Sequence, residues 1–172
     1  MKVKKVTSAS RTLILDGYNV IHAIPELERR LEVSLQASRE ALLRFCEAYR
    51  ASRGDIRKIV IVFDGKSEYD GLPSGSRPGV EIIFTSGETA DERILELIQD
   101  SKNTDSFIVV SNDNYVSNNS RAMRTSVVRV SEFRAAVSGT GKPRGAGPGP
   151  KAGLPDHAAR KITDEYRRHL GI

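Results

Sequence analysis

The amino-acid sequence predicts an α/β fold built around a mostly parallel sheet of about five strands. Five short apolar runs lack the polar alternation of half-exposed strands, and such runs are typical of strands buried on both faces. Stretches with apolar residues at helical spacing lie between these runs. Because strands that alternate with helices pair in parallel, this order of elements predicts a parallel sheet.

The predicted strands are the apolar runs themselves, and three of them lead into an aspartate. In chain order they cover residues 12–15, 59–63, 80–84, 107–110 and 127–130. Two of the intervening stretches have a clear apolar stripe, which predicts a helix in each. The first stripe consists of Leu35, Leu42, Phe45 and Tyr49, and the second of Ala90, Ile94, Leu97 and Ile98.

The composition is that of an ordinary soluble domain, with 172 residues of which 38% are hydrophobic and 28% charged. The single cysteine, Cys46, excludes an internal disulfide, and no Cys/His cluster has the spacing of a structural zinc site. No apolar run reaches the length of about 20 residues that spans a bilayer, and no signal-peptide core follows the first residues. We therefore expect a cytoplasmic protein without a membrane partner.

Positive charge is concentrated towards the C-terminus. Residues 1–137 carry 20 basic and 19 acidic side chains, whereas residues 138–172 carry seven and three. Six glycines and four prolines predict a flexible linker at 138–155, and an apolar stripe predicts a basic helix at 156–172. The predicted domain therefore occupies residues 1–137. The positive charge favours a polyanionic partner such as nucleic acid, although basic tails also occur on proteins that bind no polyanion.

Three classes of nucleotide-binding or phosphorylated protein are disfavoured, because this sequence lacks residues that their motifs require. Residues 139–142 read GTGK, but Pro143 stands where a phosphate-binding loop has Ser or Thr. No GxGxxG follows the first predicted strand, which disfavours a dinucleotide-binding fold. A phospho-acceptor receiver-like domain would have paired acids after its first strand, whereas Gly17 follows Asp16.

Acidic residues mark the ends of three predicted strands. Asp16, Asp64 and Asp113 follow the three long apolar runs, and Asp91 lies in the predicted first turn of a helix. The carboxyl ends of parallel strands share the edge of the sheet where ligands bind, so we expect these acids to lie close together. Such carboxylates repel one another unless protons or cations separate them. Oxygen ligands without Cys or His favour Mg²⁺ or Mn²⁺, and such an ion binds phosphate and activates water.

Local structure is an alternative explanation for each acid taken singly. Asp-Gly is a common turn dipeptide, and Asp113 has the position of a helix cap. Thr89 and Glu92 have the spacing of a capping box, which explains Glu92 but does not need the additional acid Asp91. One shared site is the more economical explanation of all four aspartates.

Five residues beside these acids, with Glu92 among them, are candidate substrate-binding or supporting residues. Asn19 either contacts a ligand or second-shell water or stabilises the turn to which it belongs. Ser111 and Asn112 either orient a phosphate or the neighbouring aspartate, or form ordinary loop structure. Arg93 either meets a phosphate or lies on the solvated surface, which is the usual place of an arginine.

These features occur in one characteristic order along the chain. The motifs are LILDGYNVI at 13–21, VFDG at 62–65, VEIIFT at 80–85, TADER at 89–93 and VVSND at 109–113. Over residues 11–137 the pattern resembles the YacP-like NYN domain family, and the DGYNxI opening followed by TADExI is specific. The resemblance implies a PIN-like three-layer sandwich that cuts RNA phosphodiester bonds with clustered aspartates and a divalent metal.

Motif by motif, the resemblance implies that Asp16, Asp91 and Asp113 are the metal-site acids and that Asp64 is a fourth catalytic acid. Asn19 matches the asparagine of the family name. The resulting hypothesis is a Mg²⁺- or Mn²⁺-dependent endoribonuclease, and the alternative is a non-cleaving RNA-binding module that retains the acidic pocket. RNA is the expected partner, and the basic tail fits a docking role on a ribosome or another ribonucleoprotein.

Overall fold

The computed structural model describes residues 10–65 and 77–139 of the chain. The predicted linker at 138–155 is described only at Ser138 and Gly139, and the predicted helix at 156–172 lies outside the described residues. Both therefore stay predictions. In the described ranges, no helix combines the length and the apolar character that crossing a membrane requires.

Five strands form one sheet in the order β3-β2-β1-β4-β5. The strands are β1 (Arg11–Asp16), β2 (Ile56–Phe63), β3 (Val80–Phe84), β4 (Phe107–Val110) and β5 (Ser126–Val128). Every neighbouring pair is parallel, which confirms the predicted fold class. The middle strand, β1, pairs with β2 on one side and with β4 on the other.

Six α-helices and two short 3-10 helices accompany the strands in the described part of the chain. The α-helices are α1 (Gly17–Ala23), α2 (Pro25–Glu28), α3 (Leu35–Ser52), α4 (Ala90–Gln99), α5 (Asn114–Ala122) and α6 (Val130–Val137). The 3-10 helices are Arg29–Glu32 and Thr104–Ser106. The two helices predicted from apolar stripes are α3 and α4, although Leu35, the first residue of α3, is exposed.

Helices cover both faces of the sheet and produce three layers. Leu13 and Leu15 of β1 belong to the core packed by α1, α3 and α6, whereas Ile14 belongs to the core packed by α4 and α5. Successive side chains of a strand point to opposite faces, so the central residues of a middle strand whose two faces are covered must all be apolar, as residues 13–15 are. Full burial of each such side chain contributes about 1.5–3 kcal/mol.

Two predicted strand boundaries are wrong by two or more residues. β2 begins at Ile56, three residues before the predicted start, and the last predicted strand extends too far. β5 ends at Val128, and Val130 is the first residue of α6. Arg129 is the N-cap of α6, and its amide donates a hydrogen bond of 3.2 Å to the Glu132 carboxylate. Val130 is buried as the first residue of a helix, and a short apolar run alone does not distinguish the end of a buried strand from the start of a buried helix.

The order of the strands reverses beside β1. From β1 the chain adds β2 and then β3 on one side, and it then returns to add β4 and β5 on the other side. In open parallel sheets such a reversal leaves a crevice at the carboxyl ends of the two strands, and ligands bind there. The ends of β1 and β4, which carry Asp16 and lead to Asp113, border this crevice.

Candidate active site

The ends of β1, β2 and β4 bring three aspartates to one edge of the sheet. Asp16 is the last residue of β1 and pairs with Val62 of β2, so Asp64 lies two residues beyond this position. Val110 ends β4 beside β1, and Asp113 follows three residues later. The parallel register therefore places Asp16 on the strand between the two that lead to Asp64 and Asp113.

Asp16 and Asp113 are the N-caps of the helices that follow their strands. Asp16 Oδ1 accepts a hydrogen bond of 3.1 Å from the Asn19 amide in α1. Asp113 Oδ1 accepts one of 3.0 Å from the Val116 amide in α5, which confirms the helix-cap interpretation of Asp113. A cap uses one carboxylate oxygen, so this local role is compatible with a ligand on the other.

Asp64 connects the end of β2 to the start of α4. Its Oδ1 accepts a hydrogen bond of 2.5 Å from the amide of Ala90, the first residue of that helix. Asp91 is the next residue and is half-buried. Thr85 is buried just after β3, and its Oγ1 accepts a hydrogen bond of 3.3 Å from the Gly65 amide. The hydrogen bond from Ala90 brings the first turn of α4, and with it Asp91, to the edge that carries Asp64.

Burial and neighbouring carboxylates raise the pKa of two of these aspartates, Asp16 and Asp91. Burial, followed by the carboxylates of Asp91 and Asp64, raises the pKa of Asp16 from 3.8 to about 7, although the Asn19 amide opposes this shift. Burial, followed by the carboxylates of Asp113 and Asp64, raises the pKa of Asp91 from 3.8 to about 6. Asp16, Asp64, Asp91 and Asp113 therefore form one electrostatic unit, here called the aspartate cluster.

The aspartate cluster has no compensating cation among residues 10–65 and 77–139. None of its four members forms an ion pair with a lysine or arginine of these ranges. The same ranges contain no group of three or more His, Cys, Asp or Glu side chains close enough to hold a metal ion directly. Mg²⁺ commonly binds one or two carboxylates and keeps several waters, so this open arrangement fits a hydrated ion.

Glu92 and Arg93, which follow Asp91, make contacts within and beside α4. Glu92 accepts a hydrogen bond of 2.9 Å from the Thr89 amide, while its own amide donates to Thr89 Oγ1 at 3.2 Å, so the predicted capping box is confirmed. Arg93 pairs with Glu88 at 3.9 Å and with Glu96. Its guanidinium is thus occupied by two acids of the protein, and a phosphate contact would have to compete with them.

Ser111 and Asn112 organise the loop after β4. Ser111 is buried, and its Oγ accepts a hydrogen bond of 2.9 Å from the Asp113 amide, which orients that aspartate. Asn112 Oδ1 accepts one of 3.1 Å from the Val130 amide at the start of α6. Asn19 contributes its backbone amide to Asp16 and is partly buried. All three residues border the aspartate cluster, and any contact they make with a substrate stays a prediction.

Comparison with known proteins assigns the family. The sequence profile of the YacP-like NYN domain matches residues 13–144, which is most of the chain. The chain belongs to the YacP-like NYN domain family. This family lies within the PIN-like nuclease superfamily, as the fold and the resemblance of the motifs indicate.

One relative and two solved structures are similar to this chain. The protein described as "Uncharacterized protein YacP" from Bacillus subtilis (strain 168) is 34% identical over 104 residues. The match covers 60% of this chain and 60% of that protein. The match to a crystal structure of a mutant of Rae1 (YacP) from Bacillus subtilis covers 94% of this chain and 84% of the Rae1 chain, with a TM-score of 0.61 and 24% identity. A second Rae1 (YacP) structure covers 93% and 82%, with a TM-score of 0.58 and 22% identity, and both show the same PIN-like fold.

A buried arginine in this NYN domain was not predicted from the sequence. Arg39 of α3 is 5% exposed, and its guanidinium carbon lies 5.1–5.5 Å from the ring centroids of Tyr18, Phe63 and Phe84. It also donates a hydrogen bond to the Tyr18 hydroxyl. Tyr18 and Phe63 are close in sequence to Asp16 and Asp64, so Arg39 supports the backbone that carries them. The available signal was a charged residue on the apolar face of a helix, three residues before the buried Leu42.

Proposed function

We propose that this chain is a divalent metal-dependent ribonuclease that hydrolyses RNA phosphodiester bonds internally at the aspartate cluster. The observation that supports the proposal is the aspartate cluster at the crevice beside β1. The pKa values of Asp16 and Asp91 are raised, and no lysine or arginine of residues 10–65 and 77–139 forms an ion pair with the cluster. Membership of a family within the PIN-like nucleases supports the reaction class. RNA is the proposed substrate.

The donor chemistry of the aspartate cluster fits Mg²⁺ or Mn²⁺. All four side chains offer carboxylate oxygen, and hard divalent ions prefer such ligands over imidazole or thiolate. Asp16, Asp91 and Asp113 are the proposed ligands, directly or through water, and Asp64 helps to orient them. When bound, the ion supplies Lewis acidity at the phosphate and lowers the pKa of the attacking water.

The protein's own residues hold the carboxylates in place. The Asn19 amide fixes Asp16, and the Val116 amide together with Ser111 Oγ fixes the position of Asp113. The Ala90 amide fixes Asp64, so three of the acids depend on backbone groups that do not change with side-chain rotation. Preorganised ligands of this kind lose little freedom when a metal and a phosphate bind. Since water activated by the bound ion would be the nucleophile, the proposed reaction needs no nucleophilic side chain.

Residues 138–172 are proposed to add affinity for RNA or to dock on a ribonucleoprotein such as a ribosome. Their excess positive charge neutralises phosphates and releases counterions, which gives affinity without sequence choice. Deleting these residues should weaken RNA binding and reduce its dependence on salt while leaving cleavage of short RNAs intact. Unchanged binding at low salt would contradict this role.

The decisive experiment titrates Mn²⁺ and Mg²⁺ with end-labelled single-stranded and structured RNAs. The variants are Asp16→Asn and Asp113→Asn, and the control is Asp105→Asn, an exposed acid that precedes β4 at the opposite edge of the sheet. We expect metal-dependent internal cuts by the wild type and the control, with at least about a hundredfold loss in both cluster variants. RNA binding without cuts at any metal concentration would contradict the proposal and favour a non-cleaving RNA-binding module.

A further inference from the structure

The helix capped by Asp113, α5, exposes an aromatic side chain on its outer surface. Tyr115 in the first turn of α5 has 59% of its surface exposed, one of three large apolar side chains exposed in the described part of the chain. Its ring contacts no other aromatic ring of residues 10–65 and 77–139. Asn119 Nδ2 donates a hydrogen bond of 2.8 Å to the Tyr115 carbonyl and steadies the turn that carries the ring. The fold therefore holds the backbone of Tyr115 and leaves its ring to solvent.

The charge of α5 complements a polyanion. Its nine residues include no Asp or Glu, whereas α3, α4 and α6 each contain at least one acid. Arg121 is exposed and forms no ion pair with an acid of the described ranges. At 1.5 Å per residue, Tyr115 and Arg121 are separated by about 9 Å along the helix axis.

Four polar or aromatic side chains share the outer face of α5. Successive residues of a helix are rotated by about 100°, so Asn114, Asn118 and Arg121 lie on one side and Tyr115 borders them. All four are exposed, while Val116 on the inner side is fully buried against the sheet. We call Tyr115, Asn118 and Arg121 the α5 surface. It continues directly from Asp113 of the aspartate cluster.

We propose that the α5 surface binds the single-stranded RNA segment next to the bond that is cut, with a base stacked on Tyr115 and a backbone phosphate at Arg121. This inference rests on the proposed function for the position of the cut. Single-stranded nucleic acids combine stacking on aromatic rings with contacts between cations and phosphates, and the α5 surface offers both. Asn118 adds an amide that can donate to and accept from a base edge. A base paired in a duplex is stacked on both faces and cannot use Tyr115, so the surface selects unpaired RNA.

The absence of tryptophan from the sequence allows a direct test. In the full chain, Tyr115→Trp places a single indole at the proposed stacking position, and Ala51→Trp places one at an exposed position in the last turn of α3. Both variants are titrated with a short single-stranded RNA and with its duplex, in EDTA so that no cleavage occurs. We expect saturable quenching for Tyr115→Trp with the single strand, and none with the duplex or for Ala51→Trp. Equal quenching by single strand and duplex would overturn the proposal.

Affinities of alanine variants provide the second measurement. Tyr115→Ala should weaken binding of the single strand about tenfold, within the range for removal of a stacking aromatic residue, and Tyr115→Phe should bind normally. Arg121→Ala should reduce the slope of log K against log salt by about 0.7, as expected for one lost phosphate contact with a single strand. The control is Arg57→Ala, an exposed arginine near the start of β2, which should retain the full slope.

These measurements separate the inference from the proposed function. If Tyr115→Ala binds RNA as tightly as the wild type while the wild type cuts RNA, the proposal that the α5 surface binds RNA is wrong and the nuclease proposal stands. If the quenching and the affinity loss occur but no metal ion supports cleavage, the nuclease proposal is wrong and the α5 surface remains an RNA-binding surface. Melting temperatures of all variants, measured in parallel, exclude unfolding as the cause of lost binding.

Discussion

The ring of Phe63 occupies the space that any side chain at residue 17 would need. A Cβ atom added to Gly17 would lie 2.2 Å from Cε1 of Phe63 and 2.5 Å from its Cδ1. Gly17 follows Asp16 and Phe63 precedes Asp64, so this contact is between the immediate neighbours of two cluster acids. The glycine of the DGYN motif is thus needed for the close approach of the two strand ends. Its φ angle is not in the left-handed region, so backbone conformation does not require a glycine here.

Gly17→Ala should therefore destabilise the protein by about 2–3 kcal/mol, because the displaced Phe63 ring is fully buried and cannot move without disturbing its neighbours. Gly54→Ala is the matched control, since nothing lies within 4 Å of its added Cβ, and its effect should stay within about 0.5 kcal/mol. Urea denaturation of both variants measures the difference. The second substitution Phe63→Leu should recover part of the loss, and equal stability of the two alanine variants would contradict the predicted clash.

The raised pKa of Asp16 predicts how metal-free stability depends on pH. A carboxyl whose pKa is higher in the folded than in the unfolded state binds its proton more tightly in the folded state. The folded state is thus stabilised fully below the unfolded pKa of 3.8, and this contribution is lost as pH rises through about 7. Asp91 acts in the same direction with a pKa of about 6.

Asp16→Asn should consequently raise the free energy of unfolding at about pH 8 by about 1–2 kcal/mol. The full shift corresponds to about 4 kcal/mol, but solvent that reaches the partly buried carboxyl reduces this value. Asparagine is also a good N-cap, so the start of α1 is retained. Chemical denaturation in EDTA between about pH 5 and pH 8 should show a flatter pH dependence in the variant. A wild type that is more stable than Asp16→Asn at pH 8 would contradict this prediction.

Divalent ions should stabilise the folded protein because they relieve repulsion within the aspartate cluster. A ligand that binds the folded state alone adds about 2.7 kcal/mol at a concentration one hundred times its Kd. We expect Mn²⁺ and Mg²⁺ to raise the Tm of the wild type and of Asp105→Asn. Asp91→Asn and Asp16→Asn should lose most of this increase. Calorimetric scans with and without EDTA measure the effect, and an identical Tm in all conditions would refute metal binding at this cluster.

The aromatic surroundings of Arg39 predict different effects for two substitutions. Arg39→Ala should destabilise the protein by about 2–4 kcal/mol, because it leaves a cavity beside the rings of Tyr18, Phe63 and Phe84. Arg39→Met fills most of the same volume and removes a buried charge, so its cost should be about 1 kcal/mol or less. Equal losses in the two variants would show that the charge, and not the packing, stabilises this region. Thermal unfolding of both proteins distinguishes the two cases.

The sequence alone predicted the parallel α/β fold, because strand segments buried on both faces must be apolar at every position. Residues 13–15 of β1, 59–63 of β2 and 107–110 of β4 follow this pattern. It also located the capping box of Thr89 and Glu92, since that motif depends only on residues three apart. Asp16, Asp64 and Asp113 were found for a related reason. Each follows an apolar run, and parallel strands end at the same edge of the sheet.

Only the tertiary structure decided which groups these residues contact. The hydrogen bond from Ala90 to Asp64 joins residues 26 positions apart, and the packing of Phe63 on Gly17 joins residues 46 positions apart. The raised pKa of Asp16 results from burial and from carboxylates on other elements, neither of which is a property of its local sequence. Periodicity and capping motifs record interactions between residues close along the chain. Desolvation, repulsion between charges and steric contact depend on distances in space, and these exist only once the sheet has formed.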